Sequence, residues 1–213
     1  LPFMEGYAAD VAFPRFDEGR ANALLDENGW QRGEDGIRSK QGTVFEFELL
    51  VPDWPELVKT AEMLRDQWGK VGARVTVSVL SAADLQQNAV RPREYQALLF
   101  GEAAMLHSDP YSFWHSSQKH DPGLNLALFD NKDADEVLLS LREELNQEKR
   151  QELYKKFQEI LARENPAVFL YTPTYLSVTS TTLKGIDVKS VNAPAHRFSG
   201  IEDWYIKTKR VKK

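Results

Sequence analysis

The stretch with the most chemically reactive side chains is FGEAAMLHSDPYSFW, residues 100–114. Glu102, His107 and Asp109 are residue types used in acid–base catalysis and metal binding. Asp109 directly precedes Pro110, however, and proline favours the first turn of a helix while aspartate caps its free amides. We therefore predict that Asp109 opens a short aromatic-rich helix, and nothing in the sequence singles out a partner carboxylate for catalysis.

Other signatures of catalysis or cofactor binding are missing from the sequence. The four histidines, at positions 107, 115, 120 and 196, do not match the spacing of a zinc or iron site. The chain has no cysteine, no Gly-x-Ser-x-Gly motif and no glycine-rich phosphate loop. The sequence therefore gives no support for a catalytic residue, and we expect no bound metal and no cofactor.

Composition limits the remaining classes of function. The formal net charge of −5 disfavours nucleic-acid binding, which needs a basic face. No apolar run approaches the roughly 20 residues of a membrane-spanning helix. The 213 residues can bury a sizeable core, but the chain begins without methionine or a signal peptide, so we expect a fragment of a longer protein.

The order of predicted elements indicates an α/β (α+β) fold with a mixed sheet flanked by helices. Strands are predicted at 43–51, 73–80 and 95–101, and the last is apolar enough for burial on both faces. Helices are predicted from Asp17 to Asn28, from a cap at Asp53 to Gly69, over 81–90, from a cap at Asp133, and over 147–164. The runs AVFLYT and YLSVTS, around Pro173, predict a pair of strands.

Seven separated stretches follow one another in an order that resembles a known family. They are FDEGRANALLDENGW (16–30), GIRSKQGTVFEFELL (36–50), AEMLRDQWGKVGARVTV (61–77), YQALLFG (95–101), SDPYSFW (108–114), NLALFDNKDADEVLLSL (125–141) and KRQELYKKFQEILARENPAVFLY (149–171). Together they resemble the carboxy-terminal half of the oligopeptide, dipeptide and nickel-type (family 5) solute-binding proteins of ABC transporters. Each motif is weak alone, but the resemblance covers nearly the whole chain.

The resemblance implies one lobe of a two-lobed protein, with a type II periplasmic-binding-protein-like fold. It also implies a carrier without enzyme activity. Residues 1–181 would form the carboxy-terminal solute-binding lobe, and residues 182–213 would return to an amino-terminal lobe that this chain lacks. The implied partners are a small solute (a peptide or an oligosaccharide), the membrane permease of an ABC transporter and the missing lobe, with no nucleic acid. The implied location is periplasmic or extracellular, with lipid anchoring to the cell envelope left open.

The resemblance also places candidate solute-binding residues. Dipeptide-binding relatives carry an arginine where this chain has Val51, and an aspartate where it has Leu106. Because both charges are missing, we expect a peptide-like solute other than a dipeptide held in the usual way; an oligosaccharide or a nickel chelate stays open. The complete set of candidate ligand-binding residues is Val51, Trp54, Glu102, Met105, Leu106, His107 and Asp109.

Three alternatives stay open from the sequence alone. Glu102 stands where relatives commonly carry tryptophan, and it either faces a cationic or polyhydroxylated solute or pairs with Arg91 or Arg93. The chain as a whole could also be a stand-alone interaction module or a hydrolase domain built from similar elements.

Overall fold

The structure is a computed structural model that describes residues 5–102, 109–188, 191 and 194–208. It contains six α-helices among those residues. They are α1 (Glu18–Glu27), α2 (Pro55–Lys70), α3 (Ala82–Leu85), α4 (Tyr111–Trp114), α5 (Lys132–Glu143) and α6 (Gln147–Glu164). A π-helical turn (Gln86–Val90) extends α3, and three short 3-10 turns complete the helical structure (Ser116–Gln118, Pro194–Phe198 and Ile201–Asp203).

The described strands form three separate sheets. The strands are β1 (Gln31–Arg32), β2 (Arg38–Lys40), β3 (Thr43–Val44), β4 (Glu46–Pro52), β5 (Arg74–Leu80), β6 (Ala97–Leu98), β7 (Leu183–Lys184) and β8 (Tyr205–Ile206). The central sheet is parallel in the order β5-β4-β6, whereas β1-β2-β3 and β7-β8 are small antiparallel ladders. The predicted α/β class is confirmed, with the parallel and antiparallel ladders in different sheets.

Helix ends follow local capping chemistry at most predicted positions. Asp17 accepts a hydrogen bond from the Arg20 amide at 2.8 Å, and Ser81 accepts one from the Asp84 amide at 3.1 Å, as predicted. Helix α6 covers the predicted residues, and Asn165 ends it in the left-handed conformation.

Two predicted caps are wrong. Helix α2 has Trp54 at its N-cap without a side-chain hydrogen bond, so Asp53 does not cap it. Helix α5 is capped by Asn131, which accepts from the Ala134 amide at 3.0 Å, rather than by Asp133. Asp133 already lies in the first turn of α5, where its negative charge interacts favourably with the helix dipole.

Apolar side chains form a core on each face of the parallel sheet. One cluster joins Leu49, Val51 and Leu99 to Ala61 of α2. The other joins Leu50 of β4 to α3 and its π-helical extension through Leu85, Ala89 and Val90. Since successive side chains of a strand point to opposite faces, β4 and β6 contribute to both clusters, with Ala97 packed against the first and Leu98 against the second.

A third core holds α5 and α6 together and anchors α4. Leu138 of α5 is fully buried, and it packs with Phe157 and Leu161 of α6. Trp114 of α4 packs against this cluster, with its ring centroid 6.4 Å from that of Phe157. The aromatic corner after residue 109 is therefore tied to the helical layer.

The predicted strands after α6 are not formed. Residues 167–180 have no ladder partner among the described parts of the chain, and apolar side chains there remain open to solvent, with Leu176 82% and Val178 97% exposed. The predicted strand 43–51 is also split, because Thr43–Val44 pairs with β2 while Glu46–Pro52 enters the parallel sheet. The boundary at residue 181 stays a prediction.

Candidate functional site

The carboxyl ends of β4 and β6 define the candidate site. The chain leaves β4, crosses one face through α2 to β5, and then crosses the other face through α3 to reach β6 on the far side of β4. The two connections therefore diverge between β4 and β6, which makes this position a topological switch point. In open α/β sheets, ligands bind in the crevice outside the carboxyl ends of the strands at such a point.

Backbone hydrogen bonds fix the chain at this edge. The Leu99 amide donates to the Leu50 carbonyl oxygen at 2.9 Å, which continues the pairing of β6 with β4. The Asp53 amide donates to the Leu80 carbonyl oxygen at 2.9 Å, which joins the ends of β4 and β5. The residues that follow β4 and β6 are thereby held next to each other.

Trp54 is an exposed aromatic side chain at this edge. It lies directly before α2 and two residues after the end of β4, and 51% of its surface is exposed. The exposed part of the ring is available to contact a ligand or another part of the protein. Trp54 is therefore suited to stack on a sugar ring or an apolar peptide side chain.

Glu102 ends the run that follows β6 at the same edge. The residue is exposed, yet protein atoms crowd its carboxyl group, and this desolvation raises the pKa of Glu102 above the ordinary value for glutamate. The predicted alternative of an ion pair with Arg91 or Arg93 is wrong among the described residues. Arg91 donates to Gln87, and Arg93 donates to the carbonyl oxygens of residues 90, 119 and 123.

Two other candidates have structural contacts of their own. Val51 is fully buried in the core beneath α2, so its side chain supports the edge from below. Asp109 accepts a hydrogen bond from the Tyr111 amide at 3.0 Å, but the N-cap of α4 is Pro110, so the predicted cap is one residue too early. Met105, Leu106 and His107 lie outside the described residues, and their contact with a solute stays a prediction.

A serine–histidine–aspartate group occurs next to α4 but lacks the geometry of a nucleophile triad. Ser117 Oγ lies 2.9 Å from His115 Nδ1, whereas Asp135 Oδ1 is 3.9 Å from His115 Nε2, which is too far for a hydrogen bond. Asp135 instead accepts bonds from the amide and hydroxyl of Ser116. The group therefore fastens the loop after α4 to α5.

Sequence reasoning missed Arg142, which contacts the predicted site. Its Nε lies 3.1 Å from Asp109 Oδ2, and its guanidinium carbon lies 4.4 Å from the centre of the Tyr111 ring. The two partners are more than 30 positions away in the chain, so no spacing rule links them. The signal was the placement of a basic residue in the last turn of α5.

The described part of the chain has neither a metal-binding cluster nor a membrane-spanning helix. No group of three or more histidine, aspartate or glutamate side chains is arranged there to hold a metal ion. Within the same residues, no helix has both the length and the apolar character needed to cross a membrane.

Comparison with known proteins assigns the family. The profile of the bacterial extracellular solute-binding proteins, family 5 (middle region), matches residues 2–123, so the chain belongs to this family. It is similar to the oligopeptide-binding protein AppA of Bacillus subtilis (strain 168), with 25% identity over 210 residues that cover 96% of this chain and 38% of AppA. The family relationship predicted from the ordered motifs is confirmed.

Solved structures confirm the fold and show the share of each relative that is matched. The structure of B. subtilis AppA in complex with a nonapeptide superposes with a TM-score of 0.78 at 24% identity, covering 98% of this chain and 41% of AppA. NikZ from Campylobacter jejuni in complex with Ni(L-His) gives a TM-score of 0.78 at 23% identity, covering 96% and 42%. A Thermotoga maritima oligopeptide transporter protein with bound mannohexaose gives 0.76 at 16% identity, covering 97% and 42%. The chain spans about 40% of the length of these relatives.

Proposed function

We propose that this chain is the carboxy-terminal lobe of an extracytoplasmic solute-binding protein that captures a peptide-like solute and delivers it to an ABC importer. The observation that carries the proposal is the placement of Trp54 and Glu102 at the switch point between β4 and β6. The solute would lie between this edge and a second lobe supplied by the rest of a longer polypeptide. Its other partner would be the membrane permease.

A peptide is favoured over other solutes by the chemistry of the edge. Trp54 offers a sequence-tolerant apolar surface, and Glu102 offers a carboxyl group to an amide or ammonium donor. The nonapeptide bound by the AppA relative supports the same class of solute. Binding, rather than catalysis, is the role that these groups serve, since neither is paired with a nucleophile or a second acid in the described residues.

An oligosaccharide is the second candidate. The Thermotoga protein has mannohexaose bound on the same fold, and an exposed tryptophan is a good platform for a sugar ring. A nickel chelate is the third, since NikZ has Ni(L-His) bound, although the described side chains form no metal-binding cluster.

The test is a thermal-shift screen of the complete polypeptide that carries this sequence. The probes are trialanine, a synthetic nonapeptide with free termini, mannohexaose and Ni(L-His). We expect the nonapeptide to raise the unfolding temperature, because a ligand that binds the folded state stabilises it by mass action. A shift with mannohexaose or Ni(L-His) alone would reassign the solute, and no shift with any of the four would contradict the proposal.

Variants at the edge connect the shift to the proposed site. Trp54→Ala should reduce the affinity for the bound probe by about tenfold or more, as expected for loss of a buried aromatic contact. Met63→Ala is the matched control, because Met63 lies on the same helix and is similarly exposed, at 54%. Equal affinities of the two variants would place the solute elsewhere.

A further inference from the structure

The carboxylate of Asp109 is engaged by the protein at both of its oxygen atoms. Oδ1 accepts the hydrogen bond from the Tyr111 amide at 3.0 Å, and Oδ2 lies 3.1 Å from Arg142 Nε. A carboxylate held in this way has less capacity to compensate the ammonium group of a solute. Asp109 was a candidate ligand, and its contacts indicate a different role.

Arg142 makes a second contact on the same corner. Its guanidinium group lies over the ring of Tyr111, 4.4 Å from the centroid. The arginine therefore contacts both Asp109 and the first residue of α4. Such a cation–π contact adds to the ion pair, because both place the positive charge in one orientation. The ion pair and the cation–π contact therefore both stabilise the same position of the arginine side chain.

The helix that carries Arg142 is well anchored. Arg142 follows Leu141, which is buried in the core between α5 and α6 together with Leu138. The base of the arginine therefore belongs to a layer that the core holds in place, while its guanidinium reaches the corner. A side chain of this kind can transmit the rigidity of the helical layer to Asp109 and Tyr111.

The contact continues beyond Tyr111. The Tyr111 and His115 rings are stacked with their centroids 4.2 Å apart, and the Tyr111 hydroxyl lies 3.1 Å from Ser117 Oγ. Arg142, Tyr111 and His115 therefore form one continuous stack, which we call the corner stack. It joins α5 to both ends of α4.

We propose that Arg142 is a positioning residue for solute capture, which acts through Asp109 and Tyr111 to fix the start of α4, the helix that follows Glu102 in the chain. The inference rests on the proposed function for its effect on binding, but the clamp itself exists in the free protein. Asp109 is then a structural anchor of the site, and the solute meets other groups. Removing the guanidinium should loosen residues 109–115 and weaken solute binding without unfolding the α5–α6 layer.

The first arm of the test measures the clamp without any solute. Amide hydrogen exchange is followed at residues 109–115 and, as a reference, at 153–161 in α6. For Arg142→Gln we expect exchange at 109–115 to be roughly fivefold faster, the scale of one partly exposed ion pair plus one cation–π contact. Exchange in α6 should stay unchanged, and Arg142→Lys, which keeps the charge, should restore part of the protection.

A matched control separates the clamp from a general loss of charge. Arg163→Gln removes another exposed arginine at the end of a helix, where its partner is the neighbouring Glu164 at 2.9 Å. This variant should leave exchange at 109–115 unchanged. Equal exchange in Arg142→Gln and wild type, or faster exchange throughout α5 and α6, would overturn the proposal.

The second arm measures solute binding by the complete polypeptide, with the nonapeptide and trialanine as probes. We expect Arg142→Gln to weaken binding of whichever probe binds by about three- to tenfold, with Arg142→Lys intermediate and Arg163→Gln equal to wild type. Unchanged affinity in Arg142→Gln would overturn the positioning role even if exchange is faster. If wild type binds neither probe, the proposed peptide function fails, and the exchange data still decide whether the clamp exists.

Discussion

Arg38 Nε donates a hydrogen bond to the carbonyl oxygen of Val71, 2.9 Å away, at the carboxyl end of α2. Arg38 is one of the few buried charged residues in the described chain, with 3% of its surface exposed. Its terminal nitrogens also contact Asp26, the Trp30 carbonyl oxygen and Asn22. One guanidinium group therefore joins α1, the loop after it and the end of α2.

Replacing Arg38 should destabilise the lobe strongly. Arg38→Met removes every one of these bonds and leaves two partly buried carbonyl oxygens without their arginine donor, so we expect a loss of about 3 kcal/mol in the free energy of unfolding. Chemical denaturation of the purified chain measures this loss. Arg65→Met is the control, because Arg65 is half-exposed and pairs only with its neighbour Asp66 among the described contacts; it should change stability by less than about 0.5 kcal/mol.

Asn125 should tolerate no change of its amide group. It is fully buried, its Nδ2 lies 2.9 Å from the Phe129 carbonyl oxygen, and its Oδ1 accepts from the Phe129 amide at 3.0 Å. Asn125→Asp places a buried carboxylate beside that carbonyl, so we expect a loss of about 3 kcal/mol or more at neutral pH. The loss should shrink as the pH is lowered and the aspartate is protonated, and a pH-independent loss would argue against this explanation.

The amino-terminal segment 5–13 should be released by a one-atom change in Gln158. The Gln158 side chain donates to the Gly6 carbonyl oxygen at 2.8 Å and accepts from the Ala8 amide at 3.2 Å. It therefore bonds both a backbone acceptor and a backbone donor of this segment, as a neighbouring β-strand would. Gln158→Glu keeps the acceptor but loses the donor. We expect amide exchange in residues 5–13 to become about fivefold faster, on the scale of one hydrogen bond.

Glu159→Gln is the control for that experiment. Glu159 is exposed and follows Gln158 directly in α6. Its substitution by glutamine is the reverse of the test substitution, made at the adjacent position. Residues 5–13 should exchange as in wild type in this variant. An opposite change of similar size in Glu159→Gln would show that the charge of α6, rather than the glutamine bridge, governs the segment.

The raised pKa of Glu102 predicts a dependence of stability on pH. Its carboxyl group binds a proton more readily in the folded than in the unfolded chain, so the folded state carries more protons within the window between the two pKa values. The contribution of Glu102 to stability therefore falls as the pH rises through that window, which lies above the ordinary glutamate pKa. Glu102→Gln should abolish this contribution.

The measurement combines urea unfolding across pH with carbon NMR of the Glu102 carboxyl group. The difference in unfolding free energy between wild type and Glu102→Gln should move in favour of the variant as the pH rises. Glu94→Gln, which removes the charge of another exposed glutamate, controls for the loss of one negative charge. A Glu102 titration at or below the ordinary glutamate pKa would contradict the prediction.

Much of the fold was readable because local chemistry determined it. The Asp17 and Ser81 caps, the left-handed Asn165 and the alternation along β5 each depend on residues near in sequence. The predicted pair of strands around Pro173 failed because a strand needs a neighbour, and the described chain supplies none. Apolar, β-branched residues report suitability for a sheet and do not show that a sheet is present.

The candidate site was readable only in part for the same reason. Trp54 and Glu102 could be placed because each follows the end of a predicted strand, and parallel strands bring those ends to one edge. The burial of Val51 and the clamp of Arg142 on Asp109 could not be foreseen, since both depend on which helix face meets which residue in space. Distant side-chain pairs of this kind leave no periodic trace in a sequence.

Phe13 and Phe169 make an edge-to-face contact, with ring centroids 5.8 Å apart. This contact brings together the two ends of the segment 13–169, which contains helices α1 to α6 and the parallel sheet. The segment between these two phenylalanines therefore starts and ends at neighbouring positions in space. Such a body can be exchanged between homologous proteins as a cassette with two neighbouring junctions, because termini that lie close together are tolerant of insertion. Phe13 and Phe169 therefore indicate suitable junctions for a chimeric protein.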